Sequence, residues 1–169
     1  MDFLELATER WTCRKYADRQ VEPEKLEAVL EAARLAPTAK NRQPVHVWVV
    51  KSAEARARLD EATACLYGAP IALIVGMDPD QAFVRSDGHN YAEIDASIVG
   101  THIVLAAQDQ GLASTWVGAF DQPKVQKLFP ELSGYDSVHL FAIGYPASDA
   151  KPAPRHFERK PKGEFVTEL

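Results

Sequence analysis

The sequence reads Arg10-Trp11-Thr12-Cys13-Arg14-Lys15-Tyr16 near its start and Ala36-Pro37-Thr38-Ala39-Lys40-Asn41-Arg42-Gln43-Pro44 one predicted helix later. The first stretch alternates cationic side chains with a hydroxyl, and the second is a polar turn framed by prolines. Cationic and hydroxyl donors are what a phosphorylated, ring-bearing ligand requires. The two stretches therefore predict a binding site for such a ligand, and a flavin nucleotide fits this description.

The first half of the chain predicts helices that alternate with strands. A short helix ends near Arg10, and a second begins at Pro23 and ends before Pro37, because proline suits a first helical turn and stops a later one. A charged helix over Ala53 to Thr63 then separates His46 to Val50 from Ile71 to Val75. Both of these runs are apolar and β-rich, which is typical of buried strands.

The second half continues the alternation after a loop over Met77 to Tyr91. A long helix from Ile94 to Gly111 is apolar on more than one face, which indicates burial either in the domain core or at a subunit interface. The remaining predicted elements are strands over Leu112 to Gly118 and Val138 to Gly144, with a helix over Gln122 to Leu128 capped by Asp121.

Composition limits the class of protein. A chain of 169 residues that is 46% hydrophobic predicts one globular domain over residues 1–169. No apolar run approaches the ~20 residues of a membrane span and the N-terminus is acidic, so we expect a cytoplasmic protein without a membrane partner. The net charge of -5 argues against nucleic-acid binding. The spacing of cysteine and histidine predicts no metal site.

A basic stretch near the C-terminus departs from this acidic balance. Residues Lys151 to Lys162 hold five cations and one acid. Either the stretch is a solvated surface segment, or Arg159 or Lys160 folds back onto the phosphate of the ligand.

The order of the motifs resembles the nitroreductase family of FMN enzymes, which share an Arg-x-Ser/Thr-x-Arg/Lys-x-aromatic run and a Pro-Ser/Thr-x-x-Asn-x-Gln-Pro turn. The resemblance implies an α+β fold with helices around a mixed, mainly antiparallel sheet, in an intertwined homodimer with two flavin sites at its interface. It also implies that NADH or NADPH delivers hydride to flavin N5. A nitroaromatic, a quinone or a similar small-molecule acceptor then takes the electrons in a ping-pong mechanism.

The resemblance assigns roles to the first motif and to the tail. Arg10, Trp11 and Thr12 are expected to contact FMN, with Arg10 and Thr12 on its phosphate. Arg14 is expected at the N1–C2=O edge of the ring, where a fixed cation favours the reduced anion. Near the C-terminus, Arg159 and Lys160 resemble a basic motif that returns to the phosphate.

The turn and one strand end complete the expected site. Pro37, Thr38, Ala39 and Asn41 match residues that reach the flavin of the other subunit, and Lys40 either faces the substrate channel or is solvated. Backbone N–H groups at Gly118 and Ala119 are expected near N5 and O4, because small residues permit close approach. Trp116 either forms a wall of the ring pocket or belongs to the core.

One departure from the family pattern bears on redox behaviour. Many larger members have a second lysine before the strand that matches Ile71 to Val75, whereas this chain has Ala64-Cys65-Leu66-Tyr67. Arg14 is then the main positive charge at the ring edge. Two alternative functions are a flavin-binding storage or sensor protein without turnover and, with less support, an interaction module built on the basic tail.

Overall fold

The computed structural model describes residues 2–169, apart from the side chain of Val138. Helices and strands alternate along most of the described chain, as the sequence predicts. In chain order the elements are α1 (Phe3–Glu9), α2 (Pro23–Arg34), β1 (Val45–Val50), α3 (Ala53–Asp60), β2 (Ile71–Met77), α4 (Ala92–Asp109), β3 (Ala113–Val117), α5 (Gln122–Leu128), β4 (Asp136–Gly144) and α6 (Lys162–Phe165).

The four strands form one sheet in the order β1-β2-β4-β3, and each neighbouring pair is antiparallel. The register places Leu73 and Trp116 on either side of Phe141. A parallel bridge between Thr12 and Ser114 adds the segment after α1 to the outer edge of β3. The prediction of a mixed, mainly antiparallel sheet is therefore confirmed.

Helices cover both faces of this sheet, because side chains along each strand alternate between the two faces. Leu73 and Phe141 belong to the core that α2 and α4 cover. Ile74 and Leu140 belong to a second core, beneath α3 and α5. Within the described residues, this arrangement leaves the outer edge of β1 unpaired, whereas the segment after α1 runs along the outer edge of β3.

Two predicted elements differ from the structure. The prediction that His46 to Val50 is a buried strand is wrong, because β1 lies at the edge of the sheet and Val49 is 37% exposed. The strand at Ile71 to Val75 is central and buried, as predicted. Helix α3 ends at Asp60 and does not reach Thr63, whose hydroxyl instead donates to the carbonyl of Ala119 at 2.7 Å.

Helix α4 lies close to the sheet at Gly100. A methyl group added there would lie 2.7 Å from Cζ of Phe141 and 2.8 Å from Cη2 of Trp116. Glycine therefore sets the helix–sheet distance at this point. No helix within residues 2–169 has both the length and the apolar character that a bilayer span requires.

We expect Gly100→Ala to lower the free energy of unfolding by about 1–3 kcal/mol, the usual cost of overpacking a core. This cost exceeds the gain of up to ~1 kcal/mol that alanine brings in helix propensity. Chemical denaturation of the variant checks the effect. Thr101→Ala, on the exposed side of the same helix, is the control and should shift the value by no more than about 0.5 kcal/mol. A stabilised Gly100→Ala protein would contradict the close packing described here.

Candidate functional site

A polar cavity of about 230 Å³ lies between the segment after α1 and the C-terminal tail. Its lining contains four arginines and, among the described residues, no carboxylate. The lining residues are Arg10, Thr12, Arg14, Ala153, Arg155, His156 and Arg159. An uncompensated cluster of guanidinium groups around one cavity is suited to a phosphate.

Strand β3 positions the first side of this cavity. The backbone N–H of Cys13 donates to the carbonyl of Ser114 at 3.0 Å, and the hydroxyl of Tyr16 donates to the carbonyl of Ala142 at 3.0 Å. The segment from Arg10 to Tyr16 thus runs along the edge of the sheet. Arg10 and Arg14 project from a backbone that the sheet holds in place.

The tail forms the second side, because the chain after β4 returns along the same segment. The N–H of Ala147 donates to the carbonyl of Lys15 at 3.0 Å, and the Lys15 ammonium pairs with Asp149. A 3-10 turn over Pro154–Phe157 then places Arg155 and His156 at the cavity. The Arg159 guanidinium donates to the carbonyl of His156 at 2.6 Å, which keeps Arg159 beside the cavity.

The electrostatics of the cavity favour an anion. The pKa of Arg10 is lowered, first by its burial and second by the nearby positive charge of Arg159. Arginine side chains carry a positive charge at neutral pH. Because the two cations repel each other, a bound phosphate would relieve an unfavourable interaction and form charge-assisted hydrogen bonds with both side chains.

The end of β3 provides open space further along the same edge. Gly118 follows β3 and is exposed, and no atom lies within 4 Å of where a Cβ would be. Gly118 lies four positions beyond Ser114, which corresponds to about 13 Å along an extended strand. The hydrogen bond from Thr63 fixes the adjacent Ala119 carbonyl. A ligand whose phosphate lies in the cavity can therefore extend along β3 to reach the backbone at Gly118.

The segment that departs from the family pattern lies against Arg14. Tyr67 adopts a left-handed backbone conformation, with φ of 53°. The pKa of its phenol is raised, first by a hydrogen bond that involves Cys65, while the interaction with Arg14 acts in the opposite direction. The Tyr67 hydroxyl thus interacts with both Arg14 and the Cys65 thiol.

Several predicted site residues lie outside the cavity lining. Trp116 packs in the core, with its ring centroid 5.0 Å from that of Phe141 and 4.8 Å from that of His139. Trp11 is half-buried and Lys160 is exposed, and neither belongs to the cavity lining. Their contact with a flavin stays a prediction.

The turn from Pro37 to Asn41 also lies outside the cavity lining. Lys40 and Asn41 have positive φ values of 51° and 53°, which non-glycine residues rarely adopt. Two backbone N–H groups of this turn donate to side-chain acceptors: the N–H of Ala39 donates to Oδ1 of Asp95 at 2.9 Å, and the N–H of Gln43 donates to the Thr38 hydroxyl at 3.0 Å. The Lys40 ammonium lies 4.9 Å from the ring centroid of Phe83.

Sequence reasoning missed three residues of functional interest. Arg155 and His156 line the cavity, and the turn that begins at Pro154 brings them there. The sequence feature that pointed to them was the basic stretch from Lys151 to Lys162, in which Arg155 and Arg159 are four positions apart. Asp95 gave no signal, because an acidic residue in the first turn of a helix is common.

Comparisons with known proteins agree with this geometry. The model of the nitroreductase family matches residues 7–68 and 63–145. A protein of Archaeoglobus fulgidus with the provisional name NADH dehydrogenase/NAD(P)H nitroreductase is 32% identical over 153 residues, which cover 86% of each chain.

Two solved structures show the same fold. The crystal structure of a nitroreductase family protein from Clostridium difficile 630 is 39% identical and has a TM-score of 0.91, covering 99% of this chain and 98% of that one. An FMN-dependent nitroreductase from Clostridium difficile R20291 is 26% identical and has a TM-score of 0.73, covering 89% and 91%. This chain therefore belongs to the nitroreductase family.

Proposed function

We propose that this chain is an FMN-dependent oxidoreductase that takes hydride from NADH or NADPH and reduces a nitroaromatic, quinone or similar acceptor in a ping-pong mechanism. The observation that carries the proposal is the four-arginine cavity beside the edge of β3, with open backbone at Gly118 further along that edge. The names of the Archaeoglobus fulgidus relative and the Clostridium difficile R20291 structure support the same activity.

The residues around the cavity fit the phosphate of FMN. Arg10 and Arg159 supply planar donor groups on opposite sides, and the hydroxyl of Thr12 supplies a further donor. Arg155 and His156 add positive charge or donors from the tail. The segment after α1 and the tail would therefore hold the phosphate between them.

The fit continues toward the ring. The backbone at Gly118 and Ala119 offers N–H donors without a side chain that blocks approach at Gly118. Arg14, which is exposed and lines the cavity, supplies a fixed cation. When bound, FMN would carry the hydride between the nicotinamide and the acceptor. The role of Arg14 is to favour negative charge on the adjacent ring edge.

We also propose that the functional unit is a homodimer. Strand β1 is at the edge of the sheet and, within the described residues, is paired only with β2. A groove of about 310 Å³ lies beside it, lined by Val45, Val47 and Val49 of β1 and by Leu30 and Ala33 of α2, among others. An unpaired strand edge next to an apolar groove is typical of an interaction surface.

The tail supports the same proposal. Phe157 and Phe165 are 74% and 82% exposed, and Phe3 in α1 is 65% exposed. These aromatic rings have little contact with their own subunit, which suits burial against a second copy. In such a dimer, the turn from Pro37 to Asn41 would face the flavin of the other subunit, and Lys40 would lie on the substrate side.

The proposed activity is tested by loading the protein with FMN and adding NADH or NADPH without oxygen. Loss of absorbance at the flavin band, followed by its recovery with nitroaromatic or quinone acceptors, would support turnover. Parallel lines in double-reciprocal plots of initial velocity, with both substrate concentrations varied, would support the ping-pong mechanism. A bound flavin that neither nucleotide reduces would favour a storage or sensor protein.

Removal of the charge at Arg14 is expected to change the flavin potential more than flavin retention. Arg14→Ala removes about 1–3 kcal/mol of stabilisation from the reduced form, on the scale of a hydrogen bond to a charged group. For a two-electron couple, about 1.4 kcal/mol corresponds to ~30 mV, so the potential should fall by tens of millivolts. Photoreduction against a reference dye measures this shift.

The matched control for this prediction is Arg14→Lys, which keeps a positive charge at the same position. Its potential should lie closer to that of the wild type than the alanine variant's does. If Arg14→Ala binds FMN with an unchanged potential, Arg14 has no electrostatic role at the ring.

A further inference from the structure

Asp95 is the one carboxylate that is buried among the residues the structure describes. Its side chain lies in the first turn of α4 and the residue is 1% exposed. Oδ1 accepts a hydrogen bond from the N–H of Ala39 at 2.9 Å, whereas Oδ2 is buried without a hydrogen-bond partner. Such an arrangement is costly, because a buried carboxylate loses its hydration and a single N–H only partly replaces it.

The backbone that Asp95 holds is itself unfavourable. Lys40, Asn41 and Gln43 all have φ between 51° and 53°, a left-handed conformation that is unfavourable for residues other than glycine. Within the turn, the N–H of Asn41 donates to the carbonyl of Thr38 at 2.9 Å and the N–H of Arg42 donates to the carbonyl of Ala39 at 3.2 Å, but these bonds join the turn only to itself. It needs external anchors, and the Ala39–Asp95 bond joins it to a long helix whose inner face is packed against the sheet.

The other hydrogen bonds that hold the turn lie at other positions along it. The Thr38 hydroxyl accepts from the N–H of Gln43 and so closes the turn upon itself. The N–H of Asp78 donates to the carbonyl of Pro44 at 2.8 Å and fixes the far end. Among these bonds, the one to Asp95 is the link between the beginning of the turn and α4.

We infer that Asp95 is a positioning residue of the proposed flavin site: by accepting from Ala39, its carboxylate fixes the turn that presents Thr38 and Asn41 to the flavin of the second subunit. The inference rests on the proposed function, since the turn contacts a flavin only if the flavin site of the dimer exists. The buried carboxylate, with only one of its oxygens hydrogen-bonded, stabilises the shape of the turn. Its acceptor oxygen, and not its charge, performs this role.

Two substitutions at Asp95 separate the acceptor from the charge. Asp95→Asn keeps an oxygen that can accept from Ala39 and removes the buried charge. Asp95→Ala removes both. Asp109→Asn and Asp109→Ala, at an exposed position near the other end of α4, are the matched controls.

The first measurement is hydrogen exchange of the segment over residues 37–43, followed by mass spectrometry in flavin-free protein. Asp95→Ala should exchange faster in this segment, with little change in the strands, and Asp95→Asn should resemble the wild type. This measurement needs no flavin and reports the anchor directly. Unchanged exchange in Asp95→Ala would overturn the inference.

The second measurement is the affinity for FMN together with the visible circular dichroism of the bound flavin. Loss of one hydrogen bond that orders the turn should weaken FMN binding about tenfold in Asp95→Ala and alter the flavin spectrum. Asp95→Asn should stay within about twofold of the wild type.

Each contrary outcome has a distinct meaning. A wild-type affinity and flavin spectrum in Asp95→Ala would overturn the positioning role, even with faster exchange. An Asp95→Asn protein that matches Asp95→Ala in exchange and affinity would overturn the assignment to the acceptor oxygen. If the wild type itself binds no FMN, the proposed function fails, whereas the exchange experiment still decides whether Asp95 anchors the turn.

Discussion

Replacement of both Arg10 and Arg159 by alanine is expected to weaken FMN binding about a hundredfold or more. Each guanidinium supplies a charge-assisted bond to the phosphate, and a hydrogen bond to a charged group contributes about 1.5–3 kcal/mol. Two such losses amount to at least about 3 kcal/mol, which corresponds to roughly two orders of magnitude in affinity. Each single variant should lose about tenfold. Quenching of FMN fluorescence on titration with protein measures these affinities.

The same substitutions should not destabilise the flavin-free protein. The positive charge of Arg159 lowers the pKa of Arg10, so the two cations oppose each other when no anion is bound. Loss of either charge relieves this repulsion, and the thermal midpoint of the flavin-free protein should stay the same or rise. Lys127→Ala, an exposed substitution on α5, is the control and should leave FMN affinity unchanged. Wild-type affinity in the double variant would mean that the phosphate binds elsewhere.

Charge placed on the proposed dimer surface is expected to separate the subunits. Val49→Lys changes the groove beside β1, and Phe165→Asp changes the exposed tail. An unpaired charge buried in an apolar interface costs several kcal/mol, so either variant should raise the dimer dissociation constant at least about a hundredfold. FMN should be lost at the same time, because the turn of the second subunit no longer completes the site. Sedimentation velocity at micromolar concentration measures the dissociation.

The design separates dissociation from unfolding. Val49 is 37% and Phe165 is 82% exposed in the subunit, so far-ultraviolet circular dichroism should remain that of the wild type. Val84→Lys is the matched control, since Val84 is 50% exposed on the loop between β2 and α4 and does not line the groove. A flavin-loaded monomer in the wild type, or intact dimers in both variants, would contradict the proposal.

Local signals in the sequence predicted most elements because their causes are local. Pro23 and Asp121 begin α2 and α5 through the first-turn preference of proline and a side-chain cap that accepts from the N–H of Lys124. Apolar, β-rich runs identified β1 and β2, and the predicted strands over Leu112 to Gly118 and Val138 to Gly144 match β3 and β4. The prediction that β1 is buried was wrong, since the position of a strand at the edge of a sheet depends on which strands pair and not on the composition of the strand itself.

The site was predicted in part for a similar reason. Arg10, Thr12 and Arg14 occupy every second position of an extended segment, so their spacing alone brings them to one surface. Arg159 was assigned by resemblance and does line the cavity. The placement of Trp116 was left open between ring wall and core, and the structure puts its indole against Phe141.

The sequence by itself determined the family, the succession of helices and strands and the cationic segment that begins at Arg10, because motif spacing and periodicity act over a few residues. Only the tertiary structure decided that Arg155 joins Arg10 across more than a hundred residues and that Asp95 lies beneath the turn at Ala39. These contacts depend on the return of the tail along the edge of the sheet and on the packing of α4. Long-range packing brings together residues that are far apart in the chain, and the sequence around one residue does not indicate its partner. The electrostatics of the cavity and the anchor of the turn could therefore be identified only in the folded chain.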